Sequence, residues 1–280
     1  MTTTSAEAYT LEPVANPWIV VVGCGGTGGF VAEGLCRMLA HRVALVLVDH
    51  DRVEERNLLR QNFYHDEIGM FKSEAMAKRL SRLYRRAVGW TVVPFGTAPS
   101  ASLRTGFERS YPPGLLLRGI VVGCVDNAQA REGIASALAY GNWWVDAGNG
   151  ENWGQVLIGN SRSDQLTRVF DETNQVCHRL PLPTLQHPEL LSPPPAEEVR
   201  PLSCAELMDT GDQDPTINQA MAALVLQVVR KLLMGECPWM ALYLDLRQGT
   251  LNPVLATPQN VARIAHVRES RLLFRSEERR

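Results

Sequence analysis

The sequence predicts an α/β fold built on a doubly wound, mostly parallel sheet, and three observations support this. Short apolar runs alternate with stretches of helical spacing over the first half of the chain, as in strands joined by crossover helices. A glycine-rich turn, VVGCGGTGGF, joins the first apolar run to the first helix. A proline-rich stretch then precedes a late helix and strand. We expect a Rossmann-like sheet with a long crossover loop and an antiparallel C-terminal extension.

The predicted strands are apolar runs of five to seven residues, bounded by turn or helix signals. Runs this short and this apolar are typical of strands that are buried on both faces. In chain order they are Trp18–Val22, Val43–Val48, Trp90–Phe95, Gly119–Val125, Trp143–Ala147, Trp153–Ile158 and Met240–Leu246.

The predicted helices have apolar residues three or four positions apart, which places those residues on one side. In chain order they are Phe30–Ala40, Ser73–Arg86, Asn127–Tyr140 and Ile217–Leu233. The second helix is basic. The last is strongly amphipathic, so we expect its apolar face in the core or in an interface.

The chain is expected to form one main domain with two flanking segments. Residues 1–17 are polar and predict an N-terminal arm, residues 18–260 a single domain, and residues 261–280 a charged tail that is a solvated helix or a frayed end. Periodicity fails between residues 161 and 203, where the prolines of PLPTLQHPELLSPPP are incompatible with a regular helix or central strand. We expect an irregular, partly ordered crossover loop there.

Composition and charge exclude several classes of function. The net charge of −2 and the pI of about 6.3 give no global basic surface, so nucleic acid is not an expected partner. The most apolar stretch, Ala220–Met234, is interrupted by polar and charged residues and is too short for a bilayer, so no membrane association is expected. The N-terminus lacks the basic and apolar regions of a signal peptide, which predicts a cytoplasmic protein.

The six cysteines give no pattern of metal ligands. They occupy positions 24, 36, 124, 177, 204 and 237, and no two form a CxxC pair. A structural zinc and a disulfide framework are therefore not expected. By default each cysteine is a small buried apolar residue.

The glycine-rich turn predicts a phosphate-binding loop. Its glycines permit a tight turn, let the backbone approach a phosphate, and aim helix N–H groups at it. Asp49 ends the second strand about twenty residues later, where a carboxylate can accept hydrogen bonds from ribose hydroxyls. The glycines concerned are Gly23, Gly25, Gly26 and Gly28. This pattern fits NAD as well as ATP, and its structural alternative is a simple glycine turn.

A cluster of acids, amides and cations after the second strand favours a triphosphate. Charge spread over several donors is what the transition state of phosphoryl or nucleotidyl transfer requires. The alternative is a solvated charged loop, which accounts for Arg52 and Glu54 but less well for amides and arginines flanked by leucines. The cluster comprises Asp51, Asn57, Arg60, Gln61 and Lys72.

At these residues the sequence resembles the ThiF, MoeB and ubiquitin-activating E1 superfamily. The motifs are the glycine loop, DHDRVEERNLLRQ and IGMFKSEAMAKRL, followed by GCVDNAQAR. The resemblance covers roughly Ile19–Leu80, Gly123–Arg131 and Ser203–Leu233. The stretch SCAELMDTGDQDPTINQAMA is similar to ThiF-like proteins of the plasmid-borne PRTRC systems.

The resemblance implies an ATP-dependent enzyme that adenylates the C-terminal carboxylate of a small ubiquitin-like (β-grasp) or sulfur-carrier protein. By match to the family motifs, the glycine loop holds the ATP phosphates and Asp49 the ribose. Asn57, Arg60, Gln61 and Lys72 surround the phosphates and the incoming carboxylate, with Arg60 and Lys72 acting in catalysis. A homodimer is also implied.

Asp126 matches the family's Mg²⁺-binding aspartate. It follows a strand and faces the crevice in which open α/β sheets bind ligands, and one or two carboxylates plus substrate phosphates are the usual Mg²⁺ ligands. The alternative for Asp126 and Asn127 is capping of the next helix, and both roles are compatible. Arg131, one turn further on, is expected to form a structural ion pair.

Cys204 matches the cysteine that takes the activated tail as a thioester in some members. Its alternative is a buried packing residue. The chain departs from the family in lacking the paired CxxC motifs that bind zinc, with Leu180 where a partner of Cys177 is expected. No Arg or Lys precedes Arg37, so the N-terminal arginine that many members supply across a dimer interface is missing. The segment 161–203 fits the family's crossover loop, under which the partner's tail threads.

Three functions follow from these residues. The first is the activating enzyme, with ATP and Mg²⁺ and without zinc. The second is a catalytically inactive ThiF-like protein that binds a nucleotide or a partner. The third, an NAD-dependent oxidoreductase, shares the glycine loop and Asp49 but leaves the cluster after the second strand unexplained.

Overall fold

The structure is a computed structural model that describes residues 9–14, 17–95, 119–192 and 216–275 of the chain. Its strands are β1 (Thr10–Leu11), β2 (Trp18–Val22), β3 (Ala44–Val48), β4 (Gly89–Thr91), β5 (Gly119–Gly123), β6 (Trp143–Asn149), β7 (Trp153–Gly159), β8 (Phe170–Asp171), β9 (Val176–Cys177), β10 (Trp239–Asp245), β11 (Thr250–Leu255) and β12 (Leu273–Phe274). Its α-helices are α1 (Gly26–Met38), α2 (Lys72–Tyr84), α3 (Ala128–Ala137), α4 (Pro183–Gln186), α5 (Ile217–Met234), α6 (Pro258–Ala265) and α7 (Glu269–Leu272). Short 3-10 turns lie at Glu55–Leu59, His65–Glu67, Ser163–Gln165 and Pro188–Leu191.

One eight-stranded sheet organises the fold, in the order β11-β10-β7-β6-β5-β2-β3-β4. The strands from β4 to β6 pair in parallel. Strands β7, β10 and β11 continue the sheet in antiparallel fashion. The predicted α/β class, a doubly wound and mostly parallel sheet with an antiparallel extension, is confirmed.

Helices cover both faces of this sheet. On one face α1 and α5 pack against each other, with α1 over β2 and α5 over β6 and β7. Gly34 permits that close packing, because a Cβ at this position would lie 2.2 Å from Leu226 Cδ1. On the other face α3 and α4 cover a second cluster around Val121, Ile134 and Trp144.

Helix α5 is the core helix that its amphipathic pattern predicts. Its buried residues recur at helical spacing and include Met221, Val225 and Val229. By length and composition alone α5 is apolar enough to cross a membrane, and it is the one such helix in the part of the chain described. Its contacts with α1, β6 and β7 are those of a core helix.

The segment predicted to be irregular, residues 161–203, contains regular structure in its described part. Strands β8 and β9 pair with each other, and they join β1 and β12 in a second sheet of order β1-β9-β8-β12. These two strands within the partly ordered segment were not predicted, because two-residue strands are too short to show periodicity and their outer partners are far away in sequence. Residues 193–203 lie outside the described residues.

The two flanking segments also contribute to this second sheet. Leu11 of β1 is fully buried, so residues 9–14 dock on the domain. In the tail, Leu272 and Phe274 are buried, which corrects the expectation of a solvated helix or frayed end for the described residues up to 275. The predicted boundary at residue 260 falls inside α6.

Two element boundaries differ from prediction. Helix α1 begins at Gly26 rather than at Phe30, so part of the glycine-rich turn is the first turn of the helix. Strand β4 ends at Thr91 and does not extend to Phe95.

The described cysteines are free thiols, and their burial fits small apolar residues. They are Cys24, Cys36, Cys124, Cys177 and Cys237. The thiol of Cys177 donates to Arg179 O at 3.3 Å. The absence of a zinc site remains a prediction.

Candidate functional site

The candidate site lies where three neighbouring parallel strands end. Val22 of β2 is in register with Val48 of β3 on one side and with Gly123 of β5 on the other. The next residues remain tied together, since Gly23 N–H donates to Val48 O at 2.9 Å. The loops after β2, β3 and β5 therefore open into one crevice, the usual ligand position in open α/β sheets.

The glycine loop has the geometry of an anion-binding turn. Gly23 has φ +87°, and a Cβ there would lie 2.5 Å from Cys124 O. At Gly28 a Cβ would lie 1.8 Å from Gly23 O, so a side chain is excluded there as well. Gly25 is the N-cap of α1 and supplies no side-chain hydrogen bond. The N–H groups at the start of this helix are therefore positioned for an anion.

Asp49 fastens the glycine loop to the end of β3. Its Oδ2 accepts the N–H of Cys24 at 2.6 Å, and its Oδ1 accepts the N–H of Asp51 at 2.8 Å. Burial raises the pKa of Asp49 above its ordinary value, while these hydrogen bonds and the charge of Lys72 oppose the shift. Each carboxylate oxygen keeps acceptor capacity, so the predicted ribose contact is compatible with this structural role and remains a prediction.

Lys72 lies next to the same strand end. Its Nζ is 3.1 Å from Asp51 Oδ2, and its backbone N–H donates to Asp51 O. The Lys72 side chain is 10% exposed and that of Asp51 58% exposed. The carboxylates of Asp49 and Asp51 and the His50 ring bring three possible metal-ligand atoms within 4.8 Å of one another. Lys72 already supplies a cation there.

The turn that carries the amides lies over the glycine loop. Asn57 is buried, and its Oδ1 accepts the N–H of Glu54 at 2.9 Å, so this carboxamide shapes the turn. The Gln61 amide nitrogen and oxygen lie 3.8 Å from the Cβ position of Gly25. Gln61 Oε1 is buried without a hydrogen-bond partner, which suits a donor from a bound ligand. Arg60 precedes it and is half-buried.

Asp126 is exposed on the opposite side of the crevice, after β5. Asn127 is the N-cap of α3, since its Oδ1 accepts the N–H of Ala130 at 2.8 Å. Its Nδ2 is 3.3 Å from Asp126 Oδ1. Capping thus belongs to Asn127 and leaves the Asp126 carboxylate accessible, as an Mg²⁺ ligand has to be. The metal role itself remains a prediction.

Arg131 forms the expected structural ion pair, with a partner that the sequence did not reveal. Its Nε is 3.2 Å from Asp146 Oδ2, and the two side chains are 8% and 0% exposed. Burial raises the pKa of Asp146 to about 6, while Arg131 acts in the opposite direction. The pair lies beneath the crevice, because Asp146 is in register with Gly123.

Two asparagines that sequence reasoning missed support the glycine loop. Thr27 Oγ1 is 3.2 Å from Asn149 Oδ1 and 3.2 Å from Asn218 Oδ1. Asn218 also fills the space where Gly26 lacks a side chain. A signal existed for Asn218, which is a polar residue on the buried face of an apolar helix.

The crossover segment closes over the sheet next to α3. The Gln186 amide donates to Ile158 O at 2.8 Å. The His187 ring nitrogens contact Glu189 Oε1 and the Tyr243 hydroxyl, each at 2.6 Å. The predicted thioester residue Cys204 lies outside the described residues.

This fold and site define a class of protein. It comprises doubly wound α/β proteins with a glycine loop suited to phosphate and an acidic residue at the end of the next strand. The chain belongs to the ThiF family, whose profile matches residues 8–244.

Curated relatives match half of the chain. Ubiquitin-like modifier-activating enzyme 5 of Drosophila virilis is 32% identical over 149 residues, which are 50% of this chain and 36% of the relative. The protein of the same name from Oryza sativa subsp. japonica is 33% identical over 155 residues, 50% of this chain and 34% of the relative. The match therefore spans about a third of the length of these relatives.

Solved structures share the fold. PaaA superposes with a TM-score of 0.56 at 18% identity, covering 86% of this chain and 73% of PaaA. The structure of E. coli MccB with ATP gives a TM-score of 0.52 at 16% identity, covering 86% of this chain and 64% of MccB.

Proposed function

We propose that the protein is an ATP-dependent activating enzyme that adenylates the C-terminal carboxylate of a small ubiquitin-like or sulfur-carrier protein. The observation that carries this proposal is the meeting of the α1 N-terminus, Lys72 and Asp126 in one crevice. The glycine loop alone would serve NAD as well as ATP. A reaction between a triphosphate and a carboxylate needs in addition a cation such as Lys72 and an accessible acid for a metal, which hydride transfer does not need. Family membership and the names of the curated relatives support the same activity.

In this proposal the crevice orients ATP for attack on its α-phosphorus. The α1 N-terminus, Lys72 and Arg60 bind the phosphates, Gln61 lies over the loop, and Asp49 accepts a ribose hydroxyl. One oxygen of the substrate carboxylate attacks the α-phosphorus, the bond to the bridging oxygen breaks, and pyrophosphate leaves with the electron pair. The product is an acyl-adenylate, in which AMP is a good leaving group.

Mg²⁺ is the metal that the accessible Asp126 carboxylate fits. When bound together with ATP phosphates, Mg²⁺ neutralises the charge that develops on the leaving pyrophosphate. The protein's own contribution is to hold this carboxylate at the strand end, where Asn127 caps α3.

Transfer of the acyl group to Cys204 is a second step of the proposal. The Cys204 thiolate attacks the acyl carbon, a thioester forms, and AMP leaves. The Cys204→Ala variant is then expected to make the adenylate but no thioester, as read by mass spectrometry. Full transfer to the acceptor by this variant would remove Cys204 from the reaction.

A homodimer in the cytoplasm is the expected form of the enzyme, on the strength of the family resemblance. Light scattering on the purified protein tests the dimer, and fractionation of cells tests the location.

ATP–pyrophosphate exchange tests the adenylation directly. The protein is incubated with Mg²⁺, ATP, labelled pyrophosphate and a panel of β-grasp proteins, each with a free or an amidated C-terminus. We expect label in ATP with one free carboxylate and none with its amidated form. Exchange that ignores amidation would contradict a C-terminal carboxylate substrate. Binding of ATP without exchange across the panel would favour the inactive, nucleotide-binding alternative.

A further inference from the structure

The segment that carries Arg60 and Gln61 is held from both neighbouring helices through the next residue, Asn62. From α1, Glu33 Oε2 accepts the Asn62 Nδ2–H at 2.8 Å. From α2, Arg79 Nη1 donates to Asn62 Oδ1 at 3.2 Å, and Arg79 Nη2 donates to the backbone oxygen of Asn62 at 2.5 Å. The nitrogen and the oxygen of the Asn62 carboxamide and the backbone carbonyl of Asn62 therefore all form hydrogen bonds.

Arg79 is itself fixed by contacts with the residues that follow. Its Nε is 2.8 Å from Glu67 Oε1, and the two side chains are 10% and 8% exposed. Its guanidinium lies 4.6 Å from the centroid of the Tyr64 ring. Glu67 Oε2 also accepts the N–H of Tyr64 at 3.0 Å. A buried, charge-assisted arrangement of this kind holds residues 62–67 in one position.

Glu33 connects this arrangement to the helix of the glycine loop. Besides Asn62, it accepts hydrogen bonds from Arg37 at 2.7 Å and from the Tyr84 hydroxyl at 3.0 Å. It lies two turns after the start of α1 at Gly26. Asn62 also lies directly against α1, since the Cβ position of Gly29 is 3.5 Å from Asn62 Cβ, an ordinary van der Waals distance.

We propose that Arg79 and Glu33 are positioning residues that hold the Arg60–Gln61 segment in place for phosphate chemistry, with the Gln61 carboxamide over the glycine loop. The inference rests on the proposed function for its kinetic consequence and on the contacts above for its geometry. Neither residue is assigned a contact with ATP. Their effect is on where the Arg60–Gln61 segment lies, since a displacement of about 1 Å at a reacting group can cost about a hundredfold in rate.

Kinetics of Arg79→Ala test this proposal, with Arg82→Ala as matched control because Arg82 is an exposed cation on the same helix. We expect Arg79→Ala to lower kcat of ATP–pyrophosphate exchange by at least about tenfold with the KM for ATP little changed. Millimolar guanidinium is expected to restore part of kcat in Arg79→Ala only. Glu33→Gln, which keeps a hydrogen-bond partner for Asn62, is expected to fall between the wild type and Glu33→Ala.

Amide hydrogen exchange gives a second readout that needs no activity. We expect the amides of Gln61–Tyr64 to exchange faster in Arg79→Ala than in the wild type, and at the wild-type rate in Arg82→Ala. Two results would overturn the positioning role. One is an amide exchange rate in this segment of Arg79→Ala that equals the wild-type rate, and the other is a kcat of Arg79→Ala that equals the kcat of Arg82→Ala. A uniform loss of protection across the chain would assign Arg79 to general stability instead. If the wild type has no ATP–pyrophosphate exchange activity, the proposed function fails. The amide exchange rates then still test whether Arg79 holds the Arg60–Gln61 segment in place.

Discussion

Two carboxylates follow parallel strands at the same edge of the sheet and have opposite environments. Asp49, after β3, is 9% exposed and accepts two backbone N–H groups. Asp126, after β5, is exposed, and the Asn127 side chain is its hydrogen-bond partner within the described ranges. The two carboxylates therefore differ in what they bind. On the β3 side the carboxylate is held by backbone N–H groups of the protein itself, whereas on the β5 side it is accessible.

The accessible side nevertheless rests on a rigid support. Arg131 and Asp146 form their buried pair directly below the loop that carries Asp126. Under the proposed function, stability and ligand binding would therefore depend on different carboxylates on the β5 side, Asp146 and Asp126. On the β3 side both would depend on Asp49.

The largest expected effect concerns the buried pair. Asp146→Asn leaves Arg131 as a buried cation without a counter-charge, and the free energy of unfolding should fall by about 4 kcal/mol. Urea denaturation measures the change. The double variant Arg131→Met/Asp146→Leu should lose less than the single variant, since no unpaired charge remains. A double variant that loses more than Asp146→Asn would contradict this.

The second largest expected effect on stability concerns Asp49. Asp49→Ala leaves the N–H groups of Cys24 and Asp51 without their charged acceptor, so the free energy of unfolding should fall by about 3 kcal/mol. The matched variant Asp126→Ala should change it by less than about 0.5 kcal/mol, because the residue is exposed. Chemical denaturation of both variants compares them directly. Equal losses would remove the distinction between the two sides.

The parallel part of the fold could be predicted because each of its strands is a short apolar run of consecutive residues. Trp18–Val22 is an uninterrupted apolar run, and the structure gives β2 the same bounds. Strands β8, β9 and β12 could not be predicted, since each has two residues and their pairing joins segments that are distant in sequence. Helix α1 was placed too late because its first turn consists of glycine and threonine, which have low helix propensity.

The site residues were predictable only where a polar or charged residue follows a predicted strand or precedes a predicted helix. Asp49 and Lys72 lie beside a strand end and a helix start, so their places followed from the motif. The Asp146 partner of Arg131, and the Asn149 and Asn218 contacts with Thr27, arise from tertiary packing and have no local pattern. The internal hydrogen bond of Asn57 was also missed, because residue type alone does not separate a ligand-binding amide from one that shapes a turn.

Calorimetric titration of the wild type and of Asp126→Ala tests the central claim most directly. Each protein is titrated with ATP, with and without Mg²⁺, and with NAD⁺. The account predicts ATP binding that Mg²⁺ strengthens in the wild type but not in the variant, and no NAD⁺ binding. Binding of NAD⁺, or an Mg²⁺ effect that survives in Asp126→Ala, would contradict it.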